Sequence, residues 1–225
     1  MFARLLALVC LGSFGIVTCR SEPVTLPNRK VVVYLQASAS QSPGPVAAMK
    51  REAAALLEEA GYAIEWREQG SKSETDGFLT VLELRGVCQT PDRLAAKSVL
   101  PGAQLASTAV SDGRVLPFSW INCATLTQFL TPVLMDQTGV RREFLYGRAM
   151  GRIVAHELYH ILSNEPGHDE GGVAKPSFTA RDVLADQFDF DHATLVKLQA
   201  IPALDASALD DSLDESVPSE ESEGR

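Results

Sequence analysis

The sequence predicts one α/β (α+β) domain: a mixed sheet with an antiparallel edge strand, one N-terminal helix, a long central helix and a C-terminal helix. Three observations carry this. Short runs rich in β-branched and aromatic residues flank a single helix-spaced segment in the first half. An Asp-Gly pair between two further runs marks a hairpin, and so an antiparallel pair of strands. From Gly139 to Leu162 the apolar spacing becomes that of a helix.

Taken in order, Val31 to Ala37 (VVVYLQA) reads as a buried strand. Ser38 to Pro45 is a Ser/Pro/Gly loop, and Val46 to Ala60 a helix of good helix formers stopped by Gly61. Tyr62 to Glu68 alternates and gives a second strand, Gln69 to Gly77 a polar turn, and Phe78 to Leu84 a third strand. Gly86 to Pro101 is irregular and holds Cys88. Gln104 to Val110 and Val115 to Ile121 form the hairpin around Ser111-Asp112-Gly113-Arg114. Asn122 to Leu134 is a mixed segment holding Cys123. The long helix, Gly139 to Leu162, shows Phe144, Leu145, Ala149, Ile153, Leu158, Ile161 and Leu162 on its expected apolar face. Ser163 to Pro176 is a loop. A last helix is expected over Thr179 to Gln199, with Thr179 as N-cap and Asp182 in the first turn. The domain thus covers about residues 30–200.

The chain has 225 residues, 45% hydrophobic and 22% charged, which allows one well-buried core and excludes collagen-like, coiled-coil and wholly disordered chains. Its net charge of −9 is unevenly placed. Eight acids and Arg225 fall from Asp205 onward, so residues 203–225 read as an acidic disordered tail and the body is nearly neutral. No clustered basic face is present, which argues against a nucleic-acid partner.

Residues 1–20 (MFARLLALVCLGSFGIVTCR) have a positive Arg4 followed by a short apolar run, Leu5 to Val17. That run is too short to span a bilayer comfortably and reads as a signal peptide, so the chain is expected to be exported, periplasmic or secreted. Cys19 stands where a lipoprotein cysteine would stand, and a lipid anchor there is the alternative. Export to an oxidising compartment favours a disulfide between the two body cysteines, Cys88 and Cys123.

The chemistry is concentrated at His156-Glu157-Leu158-Tyr159-His160, an H-E-x-x-H pattern on the long helix. Residues i and i+4 share a helix face, so both imidazoles can reach one metal ion, and Zn²⁺ suits them. Glu157 is offset around the helix, where it can take a proton from an activated water. The helix then stops at Ser163-Asn164-Glu165-Pro166-Gly167, and His168 follows where a reversing chain could present a third imidazole. Three of the four histidines lie in this window. A catalytic zinc site uses three protein ligands and an open position. His156, His160 and His168 are the expected set, with Asp169, Glu170, Asp182, Asp186 and His192 as alternatives for the third ligand.

These residues resemble a zincin metallopeptidase, and the third histidine after a helix-ending turn is similar to the metzincin clan in particular. The segment HELYHILSNEPGHDEGGVAKPSFT is also similar to small exported bacterial proteins of unassigned function. The resemblance implies the element order read above over about 31–200. It also implies a peptide or protein substrate laid as an extended strand along an edge strand within 104–121. There are departures from the clan pattern. Ser163 occupies the position of its glycine, and the third histidine comes two residues later. Asn164 can still adopt the left-handed conformation that ends a helix. No methionine follows His168, leaving Gly171 to Ser177 to fill the space of the clan's methionine turn. No tyrosine follows His160, so Lys175 and Arg181 are the nearby cations for an oxyanion, each read first as a surface charge. Arg148 and Arg152 are read as solvated charges.

The expected function is therefore an exported zinc metalloendopeptidase in which Glu157 is the general base. The alternative is a non-catalytic zinc-binding exported protein on the same fold. A serine hydrolase is disfavoured because no G-x-S-x-G elbow is present, and no phosphate-binding glycine loop is found.

Overall fold

A computed structural model describes residues 29–38, 40–68, 70–71, 77–90 and 104–201. The proposed signal peptide and the acidic tail lie outside these residues, as does most of the expected turn 69–77. Five strands form one sheet: β1 (Arg29–Gln36), β2 (Tyr62–Glu68), β3 (Phe78–Arg85), β4 (Ala106–Ser111) and β5 (Arg114–Asn122), in the order β2-β1-β3-β5-β4. The first four positions in that order are parallel, and β4 is the antiparallel edge, paired with β5. Asp112 and Gly113, at φ 50° and 76°, make the hairpin turn as the Asp-Gly signal required. The β4–β5 ladder carries a register shift between Thr108 and Val110, a bulge beside the site described below.

Helix α1 (Pro43–Glu59) returns the chain from β1 to β2 and packs along α3 (Gly139–Ser163). Gly151 sets that approach, because a Cβ there would stand 2.7 Å from the Met49 carbonyl oxygen and 2.6 Å from Glu52 Cβ. Between Leu145 and Leu162 every α3 residue except Arg148 is buried. An α-helix buried on all sides is a core helix, and it forms the middle of a cluster with Val31, Val33, Leu57, Leu82 and Ile121.

Four expectations change. Asn122 to Leu134 is not mixed: α2 (Cys123–Leu134) starts at an Asn122 side chain that accepts from the Thr125 N–H. The last helix is split into α4 (Ala180–Leu184) and α5 (His192–Ala200). The break follows from Arg148 and Arg152, which are not solvated charges. Arg152 is buried, donates to Glu52 Oε1 at 2.8 Å, and reaches the Val183 and Ala185 carbonyls at 3.1 and 2.7 Å. Arg148 takes the Leu184 and Ala185 carbonyls, the latter at 2.7 Å. These guanidinium groups satisfy the carbonyls that a continuing helix would have used. Burial holds the Arg152 pKa below its ordinary value, with Glu52 opposing that shift. Phe144, expected on the apolar face, is exposed because the first turns of α3 project beyond the core, and the Arg148 guanidinium lies 5.8 Å from its ring centre.

Cys88, just after β3, and Cys123, at the start of α2, are bonded and fully buried, with a Cα–Cα distance of 4.6 Å. No helix among the described residues is long and apolar enough to cross a membrane. Closing a loop across 35 residues of sequence stabilises by roughly 3–4 kcal/mol in the chain-entropy account. The double variant Cys88→Ser, Cys123→Ser should therefore unfold at a clearly lower urea midpoint. An unchanged midpoint would show that the bond contributes nothing in solution.

Candidate metal centre

The sequence places His156 and His160 one turn apart on α3, and burial of the helix turns both into the protein. Each imidazole is fixed by a main-chain carbonyl. His156 Nδ1 lies 2.7 Å from the Val173 oxygen and His160 Nδ1 2.8 Å from the Glu165 oxygen. A carbonyl only accepts, so both protons sit on Nδ1. The two Nε2 atoms are then unprotonated and face each other at 3.2 Å. Two nitrogens each about 2.0–2.1 Å from a tetrahedral ion lie about 3.3–3.4 Å apart. The pair has the spacing of two ligands, and without a cation between them the facing lone pairs would repel.

The third ring arrives through the helix end. Asn164 takes the left-handed conformation, φ 51° and ψ 37°, and the N–H groups of Asn164 and Glu165 return to the Ile161 and His160 carbonyls. The Asn164 side chain also accepts from the Val115 N–H at 3.3 Å, tying this turn to the hairpin. The chain then reverses and brings His168 over the pair, its ring centre 5.1 Å from His156 and 4.7 Å from His160. Ligand atoms of His156, His160 and His168 all lie within 4.8 Å of one another. His156 and His160 are buried and His168 is exposed to the cleft opening.

The alternatives for the third ligand go elsewhere. Asp169 is held by Thr194 and Lys197. Asp182 belongs to a capping box with Thr179 and pairs with Lys175 at 2.8 Å. The Asp186 side chain is fully exposed beside Arg148, and His192 is an exposed residue opening α5. Glu170 is exposed and outside the convergent group. Within the expected segment Gly171 to Ser177, a short 3-10 turn, Gly172–Ala174, supplies the Val173 carbonyl. Gly172 has φ +56°, and a Cβ there would meet the Asp189 carbonyl oxygen at 2.3 Å. Phe178 packs edge-on against His156, with ring centres 5.0 Å apart.

Burial lowers the pKa of all three histidines. For His156 it falls to about 4, with the Val173 bond opposing and the two neighbouring rings assisting. For His160 and His168 burial is opposed chiefly by the Glu165 carbonyl and by Asp169 respectively. All three are thus neutral near pH 7, the form that binds metal. Glu157 is also buried. Burial pushes its pKa up to about 7, against a lowering bond from Thr108. Thr108 Oγ1 donates to Glu157 Oε2 at 2.6 Å, while Oε1 has no partner among the described residues. A carboxylate poised near neutrality beside a metal site can exchange a proton with water.

These groups floor a cleft of about 780 Å³. Edge strand β4 walls one side, from Ala106 to Thr108, and Pro166 and Pro176–Phe178 wall the other. Neither Lys175 nor Arg181 lines it. Sequence reading missed Thr108, the carbonyls of Glu165 and Val173, and the Thr194–Lys197 pair. Thr108 is one small polar residue in ASTAVS, and a carbonyl has no residue signature, so no pattern pointed to them.

No protein-family model matches the chain, and no curated protein matches it. Among solved structures, the chain is similar to archaemetzincin from Methanopyrus kandleri, with a TM-score of 0.45 and 15% identity over 80% of this chain and 97% of that one.

The left-handed turn at Asn164 launches His168, and it is testable. Asn164→Gly keeps the left-handed turn and loses only the exposed bond from Val115, so its urea midpoint should fall less than that of Asn164→Val, which should cost about 1–3 kcal/mol because a β-branched residue is strained at positive φ.

Proposed function

We propose that the protein is an exported zinc-dependent peptidase. The observation that supports this best is the pair of unprotonated Nε2 atoms at 3.2 Å, locked by two carbonyls and joined by a third imidazole. His156, His160 and His168 would hold the ion. Zinc bound there supplies Lewis acidity, polarising a scissile carbonyl and making a nearby water more acidic.

The chain's own residues do the rest. β4 is an edge strand whose outer side is unpaired among the described residues, and a peptide lying along it would gain main-chain hydrogen bonds and pass over the imidazoles. Thr108 holds one oxygen of Glu157 and leaves the other to accept a proton from the attacking water. Glu157 then returns that proton to the leaving amine. The export reading rests on residues 1–20 and is supported by the buried disulfide.

Metal analysis of the purified chain should find one zinc per molecule, lost in His156→Ala and His160→Ala. Glu157→Gln should keep the zinc and lower cleavage of a peptide library by at least about 10²-fold. A variant that cleaves at the wild-type rate removes Glu157 from the mechanism, and full zinc with no cleavage by the wild type favours the non-catalytic reading. Thr108→Val should lower kcat about tenfold with KM unchanged, since a bond to a charged group is worth about 1.5–3 kcal/mol. Thr108→Ser should restore it.

A further inference from the structure

His168 is the exposed member of the triad, and among the described residues its ring makes no side-chain hydrogen bond. Its place is therefore set by the segment that carries it. One side of that segment is held by the Asp169 N–H, which donates to the Ala174 carbonyl at 3.0 Å. The other side is held chiefly by α5, with the Tyr159 hydroxyl of α3 also bonded to the Asp169 carboxylate. Thr194 and Lys197, one turn apart on that helix, share a face. Thr194 Oγ1 donates to Asp169 Oδ2 at 2.9 Å and Lys197 Nζ to Asp169 Oδ1 at 3.1 Å, so both oxygens of the carboxylate next to His168 are gripped. The same ammonium pairs with Glu165 and donates to the Tyr159 hydroxyl at 2.9 Å. Tyr159 lies on α3 between the two helical histidines, its ring centre 5.3 Å from that of His160.

We infer that Lys197, with Thr194, is a positioning residue of the metal site, acting through Asp169 to hold His168 over His156 and His160. The inference rests on the zinc reading above and deepens it. His160 needs no such help, because it sits on a buried helix whose cap already fixes the Glu165 carbonyl. His168 does need it. Lys197 is the cation that bridges Glu165 and Asp169, and without it those two carboxylates repel each other. Asp169 then keeps only its bonds to Thr194 and Tyr159 and seats the ring less firmly. Residues that orient ligands from behind commonly govern metal affinity as strongly as activity.

The test uses the full chain, zinc alone and a competing chelator, with no peptide substrate. Lys197→Met should bind zinc about tenfold more weakly than the wild type, and Thr194→Val should weaken it in the same direction. The metal-free melting temperature should move little, because ion pairs as open to solvent as these half-buried ones contribute modestly to stability. The deciding comparison is made in a His168→Ala background. There, adding Lys197→Met should change zinc affinity by less than about twofold, since the ring it seats is gone. Lys197→Gln, which keeps a donor, is read in the same way if the Met variant does not fold. Wild-type affinity in Lys197→Met overturns the inference, and so does an equal loss with and without His168. A wild type that binds no zinc overturns instead the reading on which the inference stands.

Discussion

Two hydrogen bonds from imidazole to main chain govern how this molecule can be read. Had His156 and His160 carried their protons on Nε2, the H-E-x-x-H pattern would be two aromatic side chains in a core. The Val173 and Glu165 carbonyls take the Nδ1 protons instead, and the remaining nitrogens meet at a ligand's spacing. Everything nearby serves that orientation. The left-handed Asn164 places the Glu165 carbonyl, and the glycine turn at 171–172 places that of Val173. Phe178 closes the side of the His156 ring. Burial then keeps the rings neutral, so the geometry and the protonation state favour the same outcome.

The framework behind the site explains why it can be so enclosed. α3 is buried through most of its length, which a helix that buries His156, His160, Glu157 and Arg152 can manage only if each of these side chains has a partner. Arg152 finds Glu52 and the end of α4, Glu157 finds Thr108, and the histidines find carbonyls. The polar groups of the central helix thereby fasten α1, β4, α4 and the 3-10 turn around it.

Much of this was legible in the sequence. All five strands, α1 and α3 were visible as periodicity, the hairpin as Asp-Gly, and the convergence of three histidines as spacing plus a helix stop. The losses have physical causes. α2 was obscured because Thr and Pro132 dilute its helical pattern. The split of the last helix depends on arginines some thirty residues away in sequence, whose burial no local window reveals. Thr108 and Lys197 were missed for the same reason, since each matters only through a partner brought near by the fold.

The bulge in β4 has one more consequence. A strand at the edge of a sheet is open to another copy of itself, the usual route from sheet edge to aggregate. Here that strand is six residues long, its side chains are small, and its ladder is interrupted between Thr108 and Val110. A flat, uninterrupted edge would template endless stacking, whereas this one offers a brief and twisted berth. The irregularity next to Thr108 thus also works against edge-to-edge pairing of two copies.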